Sequence, residues 1–177
     1  MKLSDGEKLI LMMLADMYKH LKIRDPEFDP KFITATITND YLWGFNWQYT
    51  GIPFEKEESP LEVKETAEIL DMWSFIERSY EDLPPTEKTK VQKATRLTDI
   101  KFPGFDGNNE SQFGIALYFV DDLKRFEHFK GRDLNSHFPS SIDGYRNMYR
   151  VFEPMRKTLA NRSLNADEIA SILNARR

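Results

Sequence analysis

The chain has 177 residues, 40% of them hydrophobic and 31% charged, which fits one soluble globular domain able to bury a sizeable core. Its formal net charge of −4 disfavours nucleic acid as a partner, and the lack of cysteine excludes disulfides, thiol nucleophiles and thiolate metal sites. The longest apolar run, from Phe113 to Val120, falls well short of the ~20 residues a membrane helix needs.

The charge is uneven. Residues 1–85 hold 9 Lys and Arg against 17 Asp and Glu, and residues 86–177 hold 16 against 12. An acidic half and a mildly basic half can attract each other within a fold or between copies. The N-terminal residues carry acids before their apolar run and lack a small-residue cleavage site, so they do not read as a signal peptide. With no cysteine and no membrane segment, the expected setting is the cytoplasm.

Helical periodicity dominates. Leu9, Ile10, Met13, Leu14, Met17 and Leu21 recur at three- and four-residue intervals and define one apolar face. Ser4 with Glu7 forms a capping box at the start of that helix. A second helix begins at Asp29-Pro30, an N-cap followed by proline where its missing N–H costs nothing. Its β-branched stretch Ile33 to Thr38 suits a strand as well as a helix. The aromatic cluster Tyr41 to Tyr49 is expected to continue that helix as its end.

A third helix opens at Ser59-Pro60, with Glu62 placed for another capping box, and ends at Leu83-Pro84-Pro85. Residues 86–100 read as a solvated basic helix packing through Val91, Ala94 and Leu97. Phe102 to Asn109 is a loop by composition, and its paired Phe residues suggest that it is anchored. A helix from Glu110 to about Lys130-Gly131 follows, then one from Ile142 to Leu159 with Pro154 inside it. Asn165 and Glu168 cap the last. The expectation is an all-α fold, a single compact domain over 1–177 with six or seven helices. Any subdivision is expected near 85–101.

Several segments carry a resemblance. Asp5-Gly6-Glu7-Lys8-Leu9-Ile10-Leu11 looks like the opening of the YfbU family of bacterial helical proteins. The stronger match comprises Phe102-Pro103-Gly104-Phe105-Asp106, then Tyr118 to Phe129 with its Arg-Phe-x-His-Phe end. Asn135, Pro139, Tyr145 to Met148 and Leu164 to Ile169 complete it. The resemblance covers most of the chain and is weakest between Phe28 and Pro60. It implies an all-α fold, a cytoplasmic bacterial setting and homo-oligomerisation, and it transfers no catalytic residue. The stretch Arg132 to His137 matches no shared signature.

The densest chemistry lies between Phe126 and Pro139. His128, Arg132, Asp133, Asn135 and His137 could line a pocket, with a histidine as base and Arg132 holding a phosphate or carboxylate. The competing reading, which the residue types favour, is that they cap turns and anchor a buried connection. Asp106 to Glu110 loosely resembles a calcium loop but lacks the full ligand set. No Gly-rich phosphate loop, nucleophile elbow or zinc spacing occurs, and no metal or cofactor is expected.

The aromatic richness, 13% of the chain, fits rings that fill a core, while some could serve self-association or a protein partner, with Trp43 and Trp47 as interface candidates. Lys88, Lys90, Lys93 and Arg96, beside Phe102 and Phe105, are the candidates for nucleic-acid contact. A solvated basic face is the better reading of that cluster. Taken together, the leading expectation is a non-enzymatic, self-associating helical module.

Overall fold

The computed structural model describes residues 2–23, 27–55, 58–136, 142–160 and 162–176. Among them lie eight α-helices and no strand, one helix more than the upper sequence expectation. The backbone groups into two compact units, residues 1–60 with 118–125, and residues 61–117 with 126–177.

The first unit contains α1 (Asp5–Leu21), α2 (Pro30–Thr38), α3 (Trp43–Gln48) and a π-helical turn at Tyr118–Asp122. The α1 capping box forms as expected. Ser4 Oγ accepts from Glu7 N at 3.3 Å, and the Glu7 carboxylate takes the Ser4 N–H at 2.8 Å. Lys22, in the left-handed region at φ 50, closes the other end.

The segment Ile33–Thr38 is helical. Thr34 and Thr36 donate their hydroxyls to the carbonyls of Pro30 and Phe32, both at 2.8 Å, which satisfies two β-branched side chains inside a helix. The helix does not run on into the aromatic cluster. Asp40, at φ 57, breaks the chain, and Trp43–Gln48 forms the separate α3. This break is the source of the extra helix.

The second departure is at residues 118–130. The expected helix reaching Lys130 stops being α-helical at Leu117 and widens into the π-helical turn. A single 3-10 turn at Glu127–Phe129 follows. The π-helical turn carries Tyr118 and Phe119 into the core of the first unit. The Tyr118 ring lies 6.0 Å from Phe32, 5.1 Å from Tyr41 and 5.3 Å from Trp43. Its hydroxyl meets Thr36 Oγ1 at 2.5 Å, and Gly44 admits it, because a Cβ there would collide with the phenol oxygen. Burial pushes the Tyr118 phenol up, so it stays neutral.

The second unit contains α4 (Leu61–Asp82), α5 (Pro85–Thr95), α6 (Ser111–Leu117), α7 (Ile142–Thr158) and α8 (Ala166–Asn174). Helix α4 packs on α6 and α7, while α8 packs on α5 and α7. Trp73, Phe105, Phe129, Tyr145 and Phe152 are fully buried there. Helix α5 turns Val91 and Thr95 inward; Ala94 and Leu97 are exposed, contrary to the sequence reading. The Ser59 hydroxyl accepts the Trp47 indole N–H at 3.0 Å. The α8 capping box forms, with Glu168 N donating to Asn165 Oδ1 at 2.9 Å.

Candidate functional site

The 102–107 loop is held from three sides. Gly104, at φ 94, lets the backbone pass so closely to Leu134 that a Cβ would strike its carbonyl. Phe105 N donates to Leu134 O, and Ser136 N donates to Phe105 O, each at 2.8 Å. The buried Tyr145 hydroxyl donates to Gly104 O at 2.7 Å.

The third anchor is Glu77 of α4, only 4% exposed. Its carboxylate accepts the Phe102 N–H at 2.5 Å, pairs with Arg132 Nη1 at 2.7 Å and meets His128 Nε2 at 2.6 Å. Arg132 also donates to Phe102 O at 3.1 Å and stacks 5.1 Å above the Phe129 ring. Burial raises the Glu77 carboxyl, but the bonds from Arg132, Phe102 and His128 outweigh it and hold the group below the usual carboxylate range.

His128 and Arg132 are thus brought together by a residue absent from the sequence candidates. A signal for Glu77 existed: it sits one turn beyond Trp73, an acid on the apolar side of α4. Asp133 Oδ1 accepts the Asn135 N–H at 2.9 Å, and Asn135 Oδ1 accepts the Gly107 N–H at 3.3 Å. These contacts tie the 133–135 turn to Gly107. His137 lies outside the described residues.

The loosely calcium-like segment is likewise internally bonded. Asp106 accepts from Asn108 N and Asn109 Nδ2, while Glu110 accepts from Asp106 N and Ile142 N. Among the described residues no group of three or more His, Asp or Glu is placed to hold a metal ion.

Trp43, expected to be an exposed aromatic, is 8% exposed and lies against Trp47 and Phe119, at 5.8 and 5.5 Å between centroids. Trp47 is half-buried beneath Arg125, whose guanidinium carbon sits 5.1 Å from its ring centroid. The basic cluster is partly neutralised. Lys90 pairs with Asp167 at 2.7 Å, Lys88 donates to Glu81 O at 2.8 Å, and Arg96 is the left-handed cap of α5; Lys93 is exposed.

Two surface features remain. In the second unit a cleft of about 790 Å³ is lined by Asp71, Phe75, Arg78, Arg156 and Arg162 among others. Arg156 pairs with Asp71 and Arg162 with Glu168, both at 2.6 Å, whereas Arg78 has no ion pair among the described residues. In the first unit, the apolar face of α1 is open. Leu9, Ile10, Met13, Leu14, Met17 and Leu21 are 46–67% exposed, and Ala15 is the one buried residue of that helix.

The YfbU domain profile matches residues 1–175, nearly the whole chain. The chain belongs to the YfbU family. The resemblance carried by Asp5–Leu11, Phe102–Asp106 and Leu164–Ile169 is thereby borne out. No curated protein matches the chain. No residue role is therefore transferred to this YfbU domain, and its candidate sites stand on geometry. Among its described residues no helix is long and apolar enough to cross a membrane. Amphipathic periodicity brought the six α1 side chains out of the sequence as one face, but nothing local to α1 shows whether such a face is covered.

Proposed function

We propose that this YfbU domain is a non-enzymatic association module that works through the open face of α1. One observation carries the reading: six large apolar side chains on a single helix are 46–67% exposed. At those exposures they leave roughly several hundred Å² of apolar surface on one face, comparable to the ~300–600 Å² that is the largest patch on a typical monomer. Leaving it in water forgoes roughly 25 cal/mol per Å² of apolar surface, a steady drive toward a partner. The pairing of half-buried His128 and Arg132 with buried Glu77 supports the non-enzymatic half, since these side chains are engaged with one another.

Met13 is 67% exposed, so Met13→Asp leaves the fold intact while placing a charge at the middle of the patch. Light scattering after size exclusion is expected to give an assembled wild type and a variant at the chain mass, with unchanged helical circular dichroism. A variant that stays assembled overturns the use of α1.

A second reading, small-ligand binding, is favoured by the cleft with Arg78 at its wall. It places the site apart from Arg132, and Arg78→Ala would then abolish binding of an anionic probe such as inorganic phosphate without altering assembly.

A further inference from the structure

We infer that the occupant of the α1 face is α1 of a second copy, packed antiparallel about a two-fold axis beside Met13 and Leu14. This rests on the association reading above and names its partner and geometry. Three features of α1 point the same way.

The first is charge. The first turn of α1 holds Asp5 and Glu7, and its last turn holds Lys19 and His20. Antiparallel pairing sets each acidic turn beside the basic turn of the other copy, and it opposes the two helix dipoles; parallel pairing would set like beside like. Asp5 and His20 are 15 residues apart, which at about 100° per residue leaves them ~60° apart around the helix, on one edge of the apolar stripe. A two-fold axis keeps that edge on the same side of both copies, so Asp5 of each lies on the edge that carries His20 of the other, offset by about two residues, ~3 Å, along the helix.

The second is shape. With the axis beside Met13 and Leu14, Ile10 faces Met17 of the second copy, Met13 faces Leu14, and Leu21 faces Gly6. A Cβ added at Gly6 would meet nothing within 4 Å, so the glycine leaves a gap on the stripe where the exposed Leu21 of the other copy can lie. Large side chains cluster at the centre, and the ends are trimmed by glycine on one copy and filled by leucine on the other. A patch of several hundred Å² approaches the ~800 Å² per partner of a standard interface, and the two-fold makes it self-complementary.

The third feature separates a second copy from a membrane surface. Interfacial helices carry a strongly basic polar face. Here Asp5, Glu7 and Asp16 outnumber Lys8 and Lys19 along α1, which gives an anionic headgroup layer little to attract.

Because the chain has no cysteine, single thiols can be placed without background. Met13→Cys and Leu21→Cys are each treated with a short bismaleimide, in parallel with light scattering of the untreated proteins. In the antiparallel pair the Met13→Cys thiols adjoin across the axis. The Leu21→Cys thiols lie ~22 Å apart, 15 residues at 1.5 Å each. The expected result is a dimer in which Met13→Cys cross-links to near completion and Leu21→Cys at least tenfold less. Equal or faster cross-linking of Leu21→Cys means parallel pairing and overturns the inference. A dimer that cross-links at neither position associates through another surface; the inference fails while self-association stands. A monomer by light scattering, binding to anionic vesicles or not, removes both.

Discussion

The most consequential single residue is Glu77. It holds α4 to the 102–107 loop through Phe102, Arg132 and His128, and its carboxylate is nearly inaccessible to water. Removing the guanidinium leaves a buried charge short of its strongest partner, so Arg132→Ala is expected to cost about 3 kcal/mol in denaturant unfolding. A purely ligand-binding Arg132 would leave stability unchanged. The same network sets a pH response. Because the folded carboxyl is held below its unfolded value, its contribution is complete above the usual Glu pKa of about 4.3 and is lost as pH falls through the folded value. Thermal melts between pH 7 and 3 should show an acid-side loss of stability that Glu77→Gln reduces. Gly104 supplies a second test at this scale. Gly104→Ala combines a left-handed backbone with a collision on the Leu134 carbonyl and is expected to destabilise by at least about 2 kcal/mol in the same assay. The sequence singled out His128 and Arg132 by their types, yet the partner they share lies more than 50 residues away in sequence from both. Local patterning carries no information about so distant a pairing, which is why Glu77 escaped the candidates while its ligands did not.

Among the elements, those with strong end signals were the most legible. The Ser4–Glu7 and Asn165–Glu168 capping boxes, two of the three expected, and the Asp29-Pro30 start are realised because they need only residues two or three apart. The elements that departed from expectation answer to tertiary packing. Helix α3 separates from α2 at Asp40, and Trp43 turns into the aromatic cluster with Tyr118 and Phe119. The chain leaves α-helical geometry at Tyr118, where the π-helical turn delivers those two rings to the first unit. For α1 the periodicity was plain, but periodicity reports that a face exists and not what covers it. Met13→Asp and the paired cysteine variants therefore test the element on which the proposed function rests. On α5, pairing of Lys90 with Asp167 reduces the basic face that suggested nucleic acid.

At the scale of the whole chain, the family match over residues 1–175 and the helical architecture agree with the sequence reading, and the eight helices among the described residues amend its count. The two compact units divide at residue 60 and exchange the 118–125 segment, so the first unit depends on a stretch contributed from far along the chain. Non-local packing of that kind leaves no periodic trace in sequence. Assembly through the open face of α1 is the function proposed for this YfbU domain. The most direct measurement is the mass of the wild-type protein by light scattering over a hundredfold range of concentration. Twice the chain mass of 20.9 kDa at the upper end, falling toward the chain mass only on dilution, is the predicted result. The chain mass at every concentration would contradict it.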